Sequence, residues 1–179
     1  MPTLPPDATI LSIDPISRGF AYAVLEVPAH LLYWGSKEAT SGNIVQKVDE
    51  LLSYHSPDVL VLEDLRAKGV RRRKRARREI QAIERLALKR GVRIEHVARL
   101  AVQNAFAPGR SKYEVAVGLA EIFPVLADRL PRRRKAWTTE DARMNIFDAL
   151  GFARVFEERD GSQVETPIST PLAFSGPAD

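Results

Sequence analysis

The stretch ILSIDPISRGFAYAV, Ile10 to Val24, decides the fold. Its first half is an apolar run of strand length that ends on a carboxylate, Asp14. Pro15 and a short polar turn follow, and GFAYAVLEV (19–27) then returns to apolar residues. Two antiparallel strands joined by a tight turn are expected. A carboxylate at the end of a strand with a buried face needs an explanation, because a buried charge is costly unless it is paired.

Working outward, HLLYWGS (30–36) reads as a third strand, and the connections PISR and PA are short enough to force antiparallel neighbours. SGNIVQKVDELLSYH repeats Ile44, Val45, Val48, Leu51 and Leu52 at helical spacing, with Ser41 as its expected cap. SPDVLVLEDL gives a compact apolar strand over 58–62 that ends on Glu63. A basic helix is expected from about Arg72 to Lys89, burying Ile80, Ile83, Leu86 and Ala87 and stopped by Gly91. VRIEHV (92–97) reads as a further strand, followed by helices over 98–106 and 111–122 split by APGR. TTEDARMNIFDALGFARVFEE reads as the last helix, capped by Thr138 or Thr139.

The order βββ-α-β-α-β-α…α predicts one α/β domain: a five-stranded mixed sheet, its first three strands antiparallel, with helices on both faces. The expected organisation is a flexible N-terminus over 1–8, the domain over 9–157 and a disordered Ser/Thr/Pro/Gly-rich tail over 158–179. No internal repeat is evident.

The chain has 179 residues, 45% hydrophobic and 28% charged, which suits one globular core. No apolar run approaches the ~20 residues of a membrane span. The N-terminal MPTLPPDAT lacks the basic and apolar regions of a secretory signal. With no cysteine, disulfides and thiolate metal sites are ruled out. These features fit a bacterial or phage-like cytoplasm, and equally an organelle. The net charge of +4 conceals a sharp segregation. RAKGVRRRKRARR (66–78) holds nine basic residues and no acid: Arg66, Lys68, Arg71, Arg72, Arg73, Lys74, Arg75, Arg77 and Arg78. PRRRK (131–135) adds Arg132, Arg133, Arg134 and Lys135. Thirteen of the 27 basic residues lie in these two stretches, leaving fourteen against 23 acids elsewhere. Charges crowded in this way repel one another unless neutralised, so a polyanion is expected, most economically nucleic acid.

The strands ending on Asp14 and Glu63 are expected to be parallel neighbours at the sheet centre, with their carboxyl ends together where open α/β sheets place sites. On the last helix, Asp141 and Asp148 lie seven residues apart, about two turns, with Asn145 between them on the same face. Taken singly, each acid has an ordinary reading: Asp14 as a turn former, Glu63 as a loop start, Asp141 as a helix N-terminal charge. Taken together they form a carboxylate cluster, which needs a proton or a cation. Oxygen ligands without cysteine select a hard cation, Mg²⁺ or Mn²⁺. Such a site beside dense arginine suits metal-assisted cleavage of a phosphodiester. Lys112, after the turn signal PGRS, could reach a scissile phosphate, its ordinary reading being a solvent-exposed lysine.

ILSIDPISRGFAYAV resembles the first strand pair of the RuvC-type Holliday junction resolvases, in which an Asp-Pro-Gly-Ser-Arg turn follows the strand. DVLVLEDL is similar to their second acidic strand, and NIFDALGFA to their last helix, over residues 8–156 in all. The resemblance implies a ribonuclease H-like fold, a homodimer, two divalent metal ions per site, and cleavage of branched DNA in recombination and repair. Asp14, Glu63 and Asp148 would be the catalytic ligands. Asn145 stands where the family has His or Asp, and Asp141 is the residue that could compensate. Ile16 replaces the turn glycine. No aromatic follows the second acid where the family has a wedge; Arg66 stands near that position. Two other readings stay open: a ribonuclease acting on RNA–DNA hybrid or structured RNA, and a non-catalytic nucleic-acid-binding module. A small-molecule phosphotransferase is disfavoured by the lack of a Gly-rich phosphate loop.

Overall fold

The structure, a computed structural model, describes residues 4–106, 111–133 and 141–161. Five strands form one sheet: β1 (Thr9–Ile16), β2 (Gly19–Glu26), β3 (His30–Glu38), β4 (Val59–Glu63) and β5 (Arg93–Val97). Their order is β3-β2-β1-β4-β5. β1–β2 and β2–β3 pair antiparallel, while β1–β4 and β4–β5 pair parallel. The expected ribonuclease H-like mixed sheet is therefore present. β1 and β4 are buried on both faces, as central strands with near-continuous apolar sequence must be.

The period of two along each strand sorts side chains into two cores. On one face Leu11, Ile13, Leu60 and Leu62 pack beneath α1 (Ile44–His55) and α2 (Lys74–Arg90). On the other, Ile10, Val59, Val61 and Val97 meet α3 (Arg99–Phe106), α4 (Lys112–Ile122) and α5 (Met144–Gly161). A short 3₁₀ helix, Pro124–Arg129, follows α4. Asp14 shares its face of β1 with Ser12 and Ile10, and Glu63 its face of β4 with Val61 and Val59, so both acids face the α5 side.

Gly91 ends α2 in a left-handed conformation, as the sequence predicts. Ser41, by contrast, does not cap α1; its hydroxyl donates to Glu79 at 2.8 Å, and the N-cap position belongs to Asn43. The β1–β2 turn is Ser17–Arg18, closed by the Ile16–Gly19 pair; Gly19 has φ +136°, and a Cβ there would lie 2.0 Å from the Lys37 carbonyl oxygen of β3, so this position requires glycine.

α5 begins at Met144, later than its sequence suggests, and Thr138 and Thr139 lie outside the described residues. It runs on to Gly161, with Asp160 buried. Residues 4–8, read from sequence as a flexible lead-in, are tied to the domain. The Leu4 amide donates to Asp160 Oδ2 at 2.6 Å, the Asp7 amide donates to Val27 O at 3.0 Å, and Ala8 is buried. The residues after 161 lie outside the description. Among the described residues no helix is long and apolar enough to cross a membrane.

Buried positions run all round α5, because it is enclosed by the sheet and by α3 and α4. Gly151 sits at the tightest approach: a Cβ there would lie 2.6 Å from Val102 Cγ1 on α3. Gly151→Ala should therefore destabilise the domain despite the gain in helix propensity, by about 1 kcal/mol net. The double variant with Val102→Ala should recover that loss, and urea unfolding of the three proteins measures it.

Candidate active site

The register of β1 against β4 builds the site. Their last paired residues are Ser12 and Val61, and two residues further along each strand stand Asp14 and Glu63. Both carboxylates are 1% exposed, side by side at the carboxyl ends of the central strands. α5 crosses this face and brings Asp148, still partly exposed, against them. The three acids proposed from sequence are thus brought together.

What holds them is a pair of guanidinium groups. Arg72 donates to Asp14, to Glu63 and, at 3.1 Å, to the Pro15 carbonyl. Arg99, the first residue of α3, touches all three acids. Its Nη2 lies 3.0 Å from Asp14 Oδ2, its Nε 2.9 Å from Glu63 Oε1 and its Nη1 2.8 Å from Asp148 Oδ2. The Arg99 guanidinium also lies over the ring of Phe152, 5.3 Å from its centroid and one turn beyond Asp148. Lys112 Nζ completes the group 3.0 Å from Asp148 Oδ2. A capping box between Ser111 and Glu114 fixes the start of α4 and so the placement of this lysine.

Burial pushes the Asp14 carboxyl above its ordinary range. Arg99 and Arg72 oppose that shift, while Asp148 and Glu63 add to it. Burial of Arg99 works against its charge, but Asp14, Asp148 and Glu63 together overcome this and leave its pKa above the usual guanidinium value. Arg99 therefore stays cationic at any working pH.

Two sequence expectations change. Asp141 is not on α5 but in the turn before it, where Arg143 captures its carboxylate at 2.6 Å. The seven-residue spacing to Asp148 is thus not two helical turns, and Asp141 does not join the cluster; Arg143 holds its pKa below the ordinary value. Arg72, expected among the outward-facing nucleic-acid contacts, instead turns into the carboxylates. Arg66, Lys68, Arg71, Arg73, Lys74, Arg75 and Arg78 are exposed, as are Arg132 and Arg133, while Arg77 is half-buried. Arg134 and Lys135 lie outside the described residues. Arg99 escaped the sequence reading altogether. The available signal was its place two residues past β5, at the carboxyl edge that Asp14 and Glu63 share.

Two cavities flank Arg72. One, of about 590 Å³, is lined by Ser17, Arg71, Arg73, Arg75 and Asn145. The other, of about 430 Å³, is lined by Glu63, Lys68, Arg71, Arg99 and Gln103. The carboxylate set offers the anionic oxygen donors that a hard divalent cation requires. As the side chains stand, no group of three acidic or histidine residues among those described is spaced for a metal ion. Asp14, Glu63 and Asp148 are the residues that would hold a single such ion. For a second, α5 offers only the neutral amide of Asn145.

No family model and no curated protein matches the sequence. Solved structures do match the fold. Thermus thermophilus RuvC superposes with a TM-score of 0.63 at 19% identity, over 86% of this chain and 96% of that one. T. thermophilus RuvC in complex with a Holliday junction substrate gives 0.61 at 19%, over 89% and 97%. The yeast mitochondrial Holliday junction resolvase Ydc2 gives 0.55 at 12%, over 87% and 80%. The chain has the fold of these resolvases, as its motifs imply.

Removing one partner of a buried ion cluster leaves uncompensated charge. Arg99→Met should cost about 3–5 kcal/mol in denaturant unfolding with EDTA present. Arg72→Met, which frees two carboxylates rather than three, should cost less.

Proposed function

We propose that the protein is a metal-dependent endonuclease that cleaves phosphodiester bonds in branched DNA, in the manner of a Holliday junction resolvase, and acts in recombination or repair. The observation that carries this reading is the convergence of Asp14, Glu63 and Asp148, from two adjacent strand ends and one helix, beside arginine-lined cavities. The resolvase fold supports the choice of substrate, since one of the similar structures is a complex with a Holliday junction. A homodimer, presenting two such sites to the two symmetric strands of a junction, and a cytoplasmic location complete the proposal.

A Mg²⁺ or Mn²⁺ ion held by Asp14, Glu63 and Asp148 would supply a Lewis acid that polarises the scissile phosphodiester and raises the acidity of the attacking water. The chain's own residues do the rest. Lys112 holds an ammonium at the rim of the cluster, where it can neutralise the phosphate being cleaved. Arg71, Arg73 and Arg75 line the larger cavity and hold the flanking backbone. The first turn of α2 carries Lys74, Arg75 and Arg77, cations at the end of the helix dipole that favours anions. Bound phosphate relieves both that mismatch and the crowding of like charge.

The test is a nicking assay on a four-way junction, duplex DNA, an RNA–DNA hybrid and single strands, with Mg²⁺, Mn²⁺ or EDTA. Paired, metal-dependent nicks in the junction are expected. Asp14→Asn should retain binding and lose cleavage by about a thousandfold or more. The segment 64–78 has no aromatic residue to wedge into a junction, so cleavage of the hybrid alone would reassign the substrate to RNA–DNA hybrid. Binding of every substrate with no cleavage would leave only a nucleic-acid-binding module.

Replacing Arg71, Arg73 and Arg75 with Gln should weaken binding similarly for every sequence. Each lost phosphate contact should lower the slope of log K against log salt by about one. Fluorescence anisotropy at several salt concentrations measures it.

A further inference from the structure

We infer that Arg99 is a permanent cation of the carboxylate cluster, filling by its guanidinium the place of one divalent ion, so that the site takes a single metal ion, which enters by displacing Arg72. The inference rests on the nuclease reading for its relevance to catalysis, but not for its test.

Asp14, Glu63 and Asp148 carry three negative charges, and Arg72, Arg99 and Lys112 supply three positive ones at contact distance. Two divalent ions added to this group would leave four uncompensated positive charges in a largely buried space. One divalent ion in exchange for Arg72 leaves one, which a phosphate neutralises. The donors agree with the charges. Asp141 is taken by Arg143, and Asn145 brings no charge, so α5 offers a second ion no further carboxylate at this edge.

The two arginines are held very differently, and this decides which one leaves. Arg99 bonds to three carboxylates, stacks on Phe152 and belongs to a helix that begins two residues beyond β5. Moving it would break contacts with β1, β4 and α5 at once. Arg72 bonds to two carboxylates and the Pro15 carbonyl, all at the end of β1 or β4, from the non-helical stretch that precedes α2, with Arg73 extended at the helix N-cap. Open space lies on both sides of it, in the two cavities described above. A displaced Arg72 side chain would move into the space shared with Arg71, Arg73 and Arg75, where the nucleic-acid backbone is proposed to lie.

The experiment counts ions rather than turnover. The full chain, freed of metal, is titrated with Mn²⁺ by calorimetry, with free Mn²⁺ followed by electron paramagnetic resonance. Wild type is expected to bind one Mn²⁺ per chain, and Arg99→Ala two. Arg72→Ala should bind one ion about tenfold more tightly, since its competitor is gone. Arg99→Lys, which keeps the charge should Arg99→Ala fail to fold, should stay at one. Two ions in the wild type, or none in any variant, would overturn the inference. An unchanged affinity in Arg72→Ala would overturn the displacement step. Failure of the nuclease reading looks different: one ion bound and no substrate cut. Two ions bound with the junction cut would leave the nuclease standing without this inference.

Discussion

The parallel pairing of β1 with β4 is the constraint on which everything else depends. Register alone places Asp14 beside Glu63, and the period of two turns both toward α5 rather than toward α1 and α2. A slip of one residue in either strand would send one acid into the opposite core. The register is secured by the alternation itself, since Ile10, Val59 and Val61 fill one core while Leu11, Ile13, Leu60 and Leu62 fill the other. Apolar burial thus supplies the free energy that holds two carboxylates side by side at the ends of neighbouring strands.

The same logic explains why the cluster is wrapped in cations. A buried carboxylate without a partner costs more than most single packing interactions return, so three together require compensation from the chain itself. That compensation comes from three separate elements: the segment before α2, the start of α3 and the start of α4. Each is anchored by local structure. Extended backbone sets Arg73 and so aims Arg72, Phe152 supports Arg99, and the Ser111–Glu114 box fixes Lys112. The phenylalanines of α5 serve twice along one edge, because Arg93 lies over Phe156 one turn beyond the Arg99–Phe152 contact.

How much of this the sequence reveals follows from the range of the interactions. Strand periodicity is local, so β1, β4 and the ends at Asp14 and Glu63 can be read directly, as can the Gly91 stop of α2. Asp148 is legible because it lies well inside a long helical pattern. Asp141 is not, because a helix start is set by competing local bonds, and here the bond to Arg143 holds the chain in a turn until Met144. Arg72 and Arg99 fail for a further reason. A run of arginines looks uniformly solvated, and a single arginine after a strand looks like any surface residue, until the sheet shows which of them faces three carboxylates.

Arg72 nevertheless follows a simple rule once its backbone is known. In an extended segment, alternate side chains point to opposite sides. Arg71 and Arg73 are exposed, and Arg72 between them points inward. One short stretch therefore presents charge outward to a polyanion and inward to the acids. Under the inferred exchange, an ion that took the place of Arg72 among the acids would add that side chain to the outward set and strengthen the polyanion site. Linkage makes the effect mutual: a phosphate backbone that draws Arg72 outward lowers the cost of loading the metal by the same free energy. On the proposed reading, occupancy of the carboxylates and occupancy of the basic surface would be coupled through one residue, and the cluster would be most open to metal when the proposed substrate backbone is in place.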